Sequence, residues 1–252
     1  MHVDGSVDPI RDIEIINTEL ILADYQSIEK ALENQKKRAK SNDPDEKQLA
    51  DLLIQIEAHL SEGKPIRQLS LDEKASKMIK PFNFITAKKV LYVANVSEED
   101  ITTENNHVKN LKEYLNKTGD DSIQICARIE EELSSLSNEE KNEYLQELGI
   151  NEPGLSILTK QCFSLLGLQT YYTSGEKESR AWAIPKNASA PQAAGVIHTD
   201  FEKGFISAKI ISYQDFIEFN GWDGAQQKGK LRQEGKTYTM QEGDIVEFLF
   251  NV

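Results

Sequence analysis

An α/β chain is expected: a parallel sheet interrupted by an antiparallel helical hairpin, followed by a small α+β domain. Three stretches predict it. Val90-Leu91-Tyr92-Val93-Ala94 is an unbroken apolar run, the pattern of a parallel strand buried on both faces; a strand wetted on one side would alternate. Two apolar stripes, Ile21/Tyr25/Ile28/Leu32 and Leu49/Leu53/Ile56/Leu60, recur at helical spacing. From Leu168 onward, strand formers, turn residues and short helical segments alternate over the rest of the chain.

The 252 residues suffice for two modest domains. Hydrophobic residues make up 38% and charged residues 28%, a soluble composition with a charged surface. A net charge of −13 argues against indiscriminate nucleic-acid binding but leaves room for a local basic patch. Cys126 and Cys162 have no metal-ligand spacing and are expected to be reduced and buried, as in a cytosolic, cytoplasmic protein. No apolar run approaches the ~18 residues of a membrane span, so no membrane partner is expected, and Met-His-Val-Asp-Gly is not a signal peptide.

In chain order, residues 1–12 carry the turn pairs Asp4-Gly5 and Asp8-Pro9, and a long helix starts near Asp12. It ends in Lys36-Lys37-Arg38-Ala39-Lys40 and Ser41-Asn42. Asp43, Pro44 and Glu46 fit N-cap, N1 and N3 of a second helix that Gly63 and Pro65 close. Matching seams and a short connection make this an antiparallel αα-hairpin. Four cations sit near its tip. They complement the negative end of a helix, or they form a phosphate-contacting tip on an otherwise acidic chain. A third helix spans Leu69–Met78, with Ser70 as N-cap and Glu73 at N3, and Pro81-Phe82-Asn83 breaks it.

The apolar run stops at Asn95-Val96-Ser97-Glu98. A helix-length segment, about Thr103 to Lys117, leads to a second strand, Ser122–Ala127, which ends in Arg128-Ile129-Glu130. Strand, helix, strand is a right-handed βαβ unit. Ligands of open α/β sheets bind beyond the carboxyl ends of such strands. Asn95 would otherwise be an ordinary turn residue. Residues 130–148 read as one charged helix, and Leu155–Leu166 as another, closed by Gly167.

The last third predicts strands at 169–173 and 180–184 around a turn at 175–179, a Ser189-capped helix with Pro191 ending near Gly195, and a strand at 205–211. A short helix or turn at 213–219 and a terminal hairpin of 238–240 with 245–250 follow. Such an arrangement suggests a β-grasp domain. His198-Thr199-Asp200 has no nucleophile beside it and fits a structural turn better than catalysis. Trp182, Tyr171, Tyr172 and Phe205 are core aromatics or base-stacking platforms. Gly224-Ala-Gln-Gln-Lys-Gly229-Lys230-Leu231 resembles a phosphate loop, but Leu231 stands where Ser or Thr must hold Mg²⁺, and no apolar strand precedes it.

Asn95-x-x-Glu98 and Cys126-Ala127-x-x-Glu130 resemble the Asn-x-x-Asp and Ser-Ala-x-x-Glu motifs that read the base in GTPase-type domains. Arg180-Ala-Trp-Ala-Ile184, Ala190-Pro-Gln-Ala-Ala-Gly195 and Ile197-His-Thr-Asp-Phe-Glu-Lys-Gly-Phe205 resemble a TGS domain. With Asp12–Leu20, Gln146–Gly149 and the ending Phe248–Val252, the sequence resembles the YchF subfamily of Obg-like P-loop ATPases over nearly its whole length. The resemblance implies a partial P-loop NTPase-type nucleotide (G) domain at 1–16 and 81–167, an inserted helical arm at 17–80, and a TGS domain at 168–252. It implies base contacts from Asn95, Val96, Glu98, Ala127 and Arg128, and association with ribosomes; the cation cluster Lys36, Lys37, Arg38 and Lys40 is the expected ribosome or RNA contact. It also implies ATP or GTP and Mg²⁺ bound in the complete protein, and a monomer is expected. Glu98 in place of Asp gives up the two-bond fit to guanine, whereas Asn95 retains a pairing to the N6/N7 edge of adenine. The family's phosphate loop, first switch and magnesium motif would precede His2, so this chain alone is expected to hold no triphosphate and to be inactive. The rival expectation is a nucleotide-independent module that binds ribosome or RNA.

Overall fold

The computed structural model describes residues 7–38, 43–175 and 177–251. By packing, the chain divides into two compact units, Met1–Leu158 and Thr159–Val252.

In the first unit, α1 spans Pro9–Arg38. It begins earlier than expected because the Asp8 carboxylate accepts from the N–H groups of Ile10 and Arg11, both at 3.2 Å, which places Pro9 at N1. Helix α2, Pro44–Ser61, is capped by Asp43, which accepts from Asp45 N–H at 2.9 Å. The two seams interlock: Ile28, Leu32, Leu53, Ile56 and Leu60 are buried together. Toward the tip the Gln35 amide donates to the Glu46 carbonyl at 3.0 Å and also to the Glu46 carboxylate.

A 3-10 turn at Ile66–Gln68 follows, then α3 at Glu73–Ile79. The expected start at Leu69 with Ser70 as cap is corrected: Asp72 is the cap, accepting from Ala75 N–H at 2.7 Å, and a carboxylate suits the positive helix end. The chain after α3 is clamped to α1 by Asp24, only 2% exposed. Its carboxylate accepts from Ile85 N–H (2.8 Å), Thr86 N–H (2.7 Å) and the Thr86 hydroxyl (2.7 Å). Thr86 Oγ1 in turn accepts from Ile66 N–H at 3.1 Å, and the Thr86 carbonyl from Arg67 N–H at 2.9 Å.

Strand β1, Leu91–Asn95, pairs in parallel with β2, Asp121–Ile125, across α4, Asn106–Thr118. The expectation that β1 is buried on both faces is not met: Val93 is 48% exposed. Among the described residues β2 is the one strand paired with β1, and a groove of about 530 Å³ runs past Tyr92–Ser97, between α1 and α4. The charged stretch after β2 is two helices, α5 at Ala127–Ser134 and α6 at Asn138–Glu147. They are separated because Ser137 and Glu140 form a reciprocal capping box that starts α6 afresh. Helix α7, Gly154–Leu166, ends at Gly167, which adopts φ +67°.

The second unit carries a mixed sheet of five strands in the order β4-β3-β7-β5-β6. Strands β3 (Leu168–Ser174) and β4 (Ser179–Pro185) form the expected hairpin. Helices α8 (Ala190–Ile197) and α9 (Thr199–Lys203) precede β5 (Phe205–Ser212). Then come α10 (Tyr213–Glu218), α11 (Trp222–Gln227), β6 (Arg232–Glu234) and β7 (Asp244–Phe250). The expected terminal hairpin is wrong. β7 enters mid-sheet, antiparallel to β5 and parallel to β3, while Thr239 bridges to Ser189. There Ile245 and Val246, which point to opposite faces, are both buried, and β7 gains a hydrogen-bonded partner on each side. Ile210, Val246 and Phe248 pack with Tyr171 and the small face of α8, Ala190, Ala193 and Ala194. Cys126 is buried; Cys162 is half-buried, contrary to expectation, because α7 buries none of its side chains fully.

Candidate functional site

The register of the parallel pair sets Asn95 beside Ile125, so both strands finish at the same level. Val96 N–H donates to the Ile125 carbonyl at 2.9 Å, extending the ladder one step past the strands. The Asn95 side chain spans the gap: its Oδ1 accepts from Ala127 N–H at 3.0 Å, at the first turn of α5. One lone-pair direction of Oδ1 is thus engaged, and Nδ2 makes no hydrogen bond among the described residues. Asn95 and Ala127 are both exposed.

Glu98 and Arg128 form the second contact of the site, with Arg128 Nε 3.0 Å from Glu98 Oε1 and 3.3 Å from Glu132 Oε1. Glu98 first, then Glu132, holds the Arg128 guanidinium above its ordinary pKa. Behind it, Tyr144 donates its hydroxyl to Glu132. That bond is the main reason the phenol is pushed up to about 12. Ser97 donates to Asp100 at 2.7 Å and stiffens the loop between Val96 and α4. The structure therefore brings together all five residues of the expected base site: Asn95, Val96, Glu98, Ala127 and Arg128.

Glu130 has a role that the sequence did not reveal. Its carboxylate accepts from Gly154 N–H at 2.7 Å and Leu155 N–H at 3.1 Å, capping the start of α7 and fixing the back of α5. A Cβ on Gly154 would lie 2.9 Å from Glu130 Oε1, so the glycine admits this cap. The signal was Gly after Pro at a helix start, with an acid upstream.

The other sequence candidates resolve simply. Lys36, Lys37 and Arg38 are exposed in the last turn of α1, with Lys37 3.2 Å from Glu33; Lys40 lies outside the described residues. His198 caps α9, its Nδ1 accepting from Asp200 N–H at 3.2 Å, so His198-Thr199-Asp200 is a helix-start turn. Tyr171 and Phe205 are core, and Trp182 donates to Thr173 Oγ1 at 3.0 Å. The segment at 224–231 lies in and after α11, with Lys230 paired to Asp215 at 3.1 Å, so helix precedes loop and no phosphate cradle forms. Among the described residues no group of three or more His, Cys, Asp and Glu side chains is placed to hold a metal ion.

Comparison with known proteins extends this geometry. The family model YchF-GTPase_C, described as a protein of unknown function (DUF933), matches residues 168–251. The "Ribosome-binding ATPase YchF" of Haemophilus influenzae is 47% identical over 253 residues, covering 100% of this chain and 69% of that protein. Its Bacillus subtilis counterpart is 45% identical with the same coverage. The Schizosaccharomyces pombe YchF GTPase superposes with a TM-score of 0.84 at 34% identity, over 99% of this chain and 68% of that one. A GTP-binding protein from Pyrococcus horikoshii shares the fold at a TM-score of 0.60 and 22% identity, over 97% of this chain and 72% of that one.

Fold and strand-end site together define the class: an Obg-like P-loop NTPase-type sheet, present in part, with a β-grasp domain after it. Within that class, the chain belongs to the YchF family.

Proposed function

We propose that this chain supplies the base-recognition part of a ribosome-associated nucleotide hydrolase of the YchF type, working in the cytoplasm as a monomer. The observation that carries the reading is the Asn95 Oδ1 to Ala127 N–H bond at 3.0 Å. It locks the two strand ends together and leaves Nδ2 free to donate to N7 of a purine. The second lone pair of Oδ1 accepts from the N6 amino group of adenine; guanine presents a carbonyl there instead. Glu98 is drawn toward Arg128, which favours adenine further by removing the carboxylate that guanine needs. In this reading the domains divide as the sequence suggests: nucleotide domain at 1–16 and 81–167, arm at 17–80, TGS domain at 168–252.

Hydrolysis needs donors and a metal at the β and γ phosphates, which in this reading come from the segment that the longer relatives carry in addition. The test is phosphate release with ATP and Mg²⁺ by the 252-residue chain and by a version extended upstream by the segment its longer relatives carry. The expected result is turnover by the extended protein and a loss of at least about a thousandfold in the short one. Comparable turnover by both would overturn the assignment.

A second reading rests on the exposed basic turn at the end of α1. Lys36, Lys37 and Arg38, with Lys40 beyond them, contact ribosomal RNA phosphates. Replacing all four with Ala should weaken ribosome co-sedimentation and flatten its dependence on salt. An unchanged salt slope removes the tip from the interface.

A further inference from the structure

At the base of the arm, away from the base site, lies a cation with no ion-pair partner among the described residues. Arg67 leaves the 3-10 turn Ile66–Gln68 and is held there by its N–H bond to the Thr86 carbonyl, 2.9 Å. Its side chain is half-buried. Nη2 donates to Asn17 Oδ1 at 3.2 Å and approaches the Tyr92 hydroxyl at 3.5 Å. Nε is enclosed, out of reach of a molecule in solvent, and has no acceptor among the described residues. No carboxylate lies in ion-pair range of the guanidinium among the described residues. A half-buried guanidinium without an ion-pair partner is costly, and its natural complement is a planar carboxylate.

The guanidinium borders a cavity of about 400 Å³. Tyr92 and Tyr114 line it, from β1 and α4, as do Asn17 and Glu14 from α1 and Asp120 from the turn before β2. Burial first, then Glu14 and Tyr92, keeps the Tyr114 phenol above its ordinary pKa, so it is a protonated donor. The cavity is therefore divided in charge. Arg67 and the phenols suit an anionic group, while Glu14 and Asp120 suit a cationic one and repel a dianion such as phosphate.

We propose that this cavity binds a small zwitterion of the α-amino-acid class, with the carboxylate on Arg67 and the ammonium facing Glu14 and Asp120. The site is built from α1, the turn after α2, β1 and α4, so an occupant would tie the root of the arm to the parallel sheet.

The test uses the full 252-residue chain and reads the Arg67 Nε–H resonance, the Asn17 side-chain amide and the Tyr114 ring by NMR. The probes are L-glutamine, acetate, methylammonium and inorganic phosphate. L-glutamine should shift all three signals saturably. Acetate should bind at least about tenfold more weakly for want of the ammonium contacts, and phosphate more weakly still. In Arg67→Met the L-glutamine shifts at Asn17 and Tyr114 should vanish. The double variant Glu14→Gln/Asp120→Asn changes two solvent-accessible carboxylates, so it tests the idea even if Arg67→Met fails to fold. It should lose L-glutamine affinity while acetate binds as well or better. The proposal is overturned if L-glutamine causes no saturable shift, if phosphate binds as tightly as L-glutamine, or if the double variant binds L-glutamine unchanged.

Discussion

The two sheets of this chain complete themselves to different degrees. In the second unit β7 has a hydrogen-bonded neighbour on each side. One face is buried, with Val246 and Phe248 toward α8; the other is closed at Ile245, beside Ile211, and opens to solvent at Glu247. In the first unit β1 has one neighbour among the described residues, and Val93 is half exposed beside a groove. Polar groups divide the same way. In the β-grasp unit they serve the fold: Asp244 accepts from Tyr238 hydroxyl and Gln241 N–H, both at 2.9 Å. In the first unit, Asn95 Nδ2 is exposed at the strand ends and Arg67 Nε is enclosed, and neither has a protein partner among the described residues. Both lie beside the two-stranded sheet.

The largest expected effects come from breaking each unit at its own tie point. Tyr171 is fully buried, its hydroxyl donating to the Ala193 carbonyl at 2.9 Å, so Tyr171→Ala should cost about 3–5 kcal/mol. Hydrogen exchange should show protection lost in β3, β5 and β7 while β1 and β2 keep theirs. Asp24→Ala leaves three donors without their acceptor and should cost about 2–4 kcal/mol, with the reverse pattern. If either substitution strips protection from both sheets, the division into independently stabilised units is wrong.

A smaller effect separates the units by pH. Burial raises the folded pKa of Asp244 above its ordinary value. The folded state therefore holds that proton longer than the unfolded state does. Stability from this residue falls as pH rises from the ordinary carboxylate range through the folded pKa, then levels off. The hydrogen bond from Tyr144, above all, lowers Glu132 in the first unit. Its contribution is present above the ordinary carboxylate range and is lost as pH falls toward the folded pKa. Denaturation followed from pH 7 downward should show Asp244→Asn removing a stabilisation that grows with acid, and Glu132→Gln removing one that fades with acid. Parallel pH profiles for the two variants would contradict this.

Much of the arm and of the strand-end site was legible in the sequence, because each rests on local pattern. The seams of α1 and α2 follow a helical period, Asn95 follows an apolar run, and Ala127 closes the stretch read as the second strand, although the strand itself stops at Ile125. What escaped depended on partners distant in sequence. Asp24 lies on the seam between Ile21 and Ile28, at i+3 and i−4, and a carboxylate there signalled a buried acceptor. Its donors, Ile85 and Thr86, are some sixty residues away. Strand β6 is Arg232-Gln233-Glu234, with no strand formers, and exists because β5 offers it an edge. β7 was recognisable as a strand, but its position between β3 and β5 is a property of topology that no neighbouring turn encodes. The Glu98–Arg128 pair was invisible because its members sit on different strand ends.

Whether the joined strand ends read a purine base is decided by titrating adenosine, a base without phosphates, into the ¹⁵N-labelled 252-residue chain at millimolar concentration. Amide shifts are expected to be confined to Asn95–Glu98 and Ala127–Arg128, with guanosine weaker and both lost in Asn95→Ala. Shifts that cluster elsewhere, or that persist unchanged in Asn95→Ala, would contradict the purine reading.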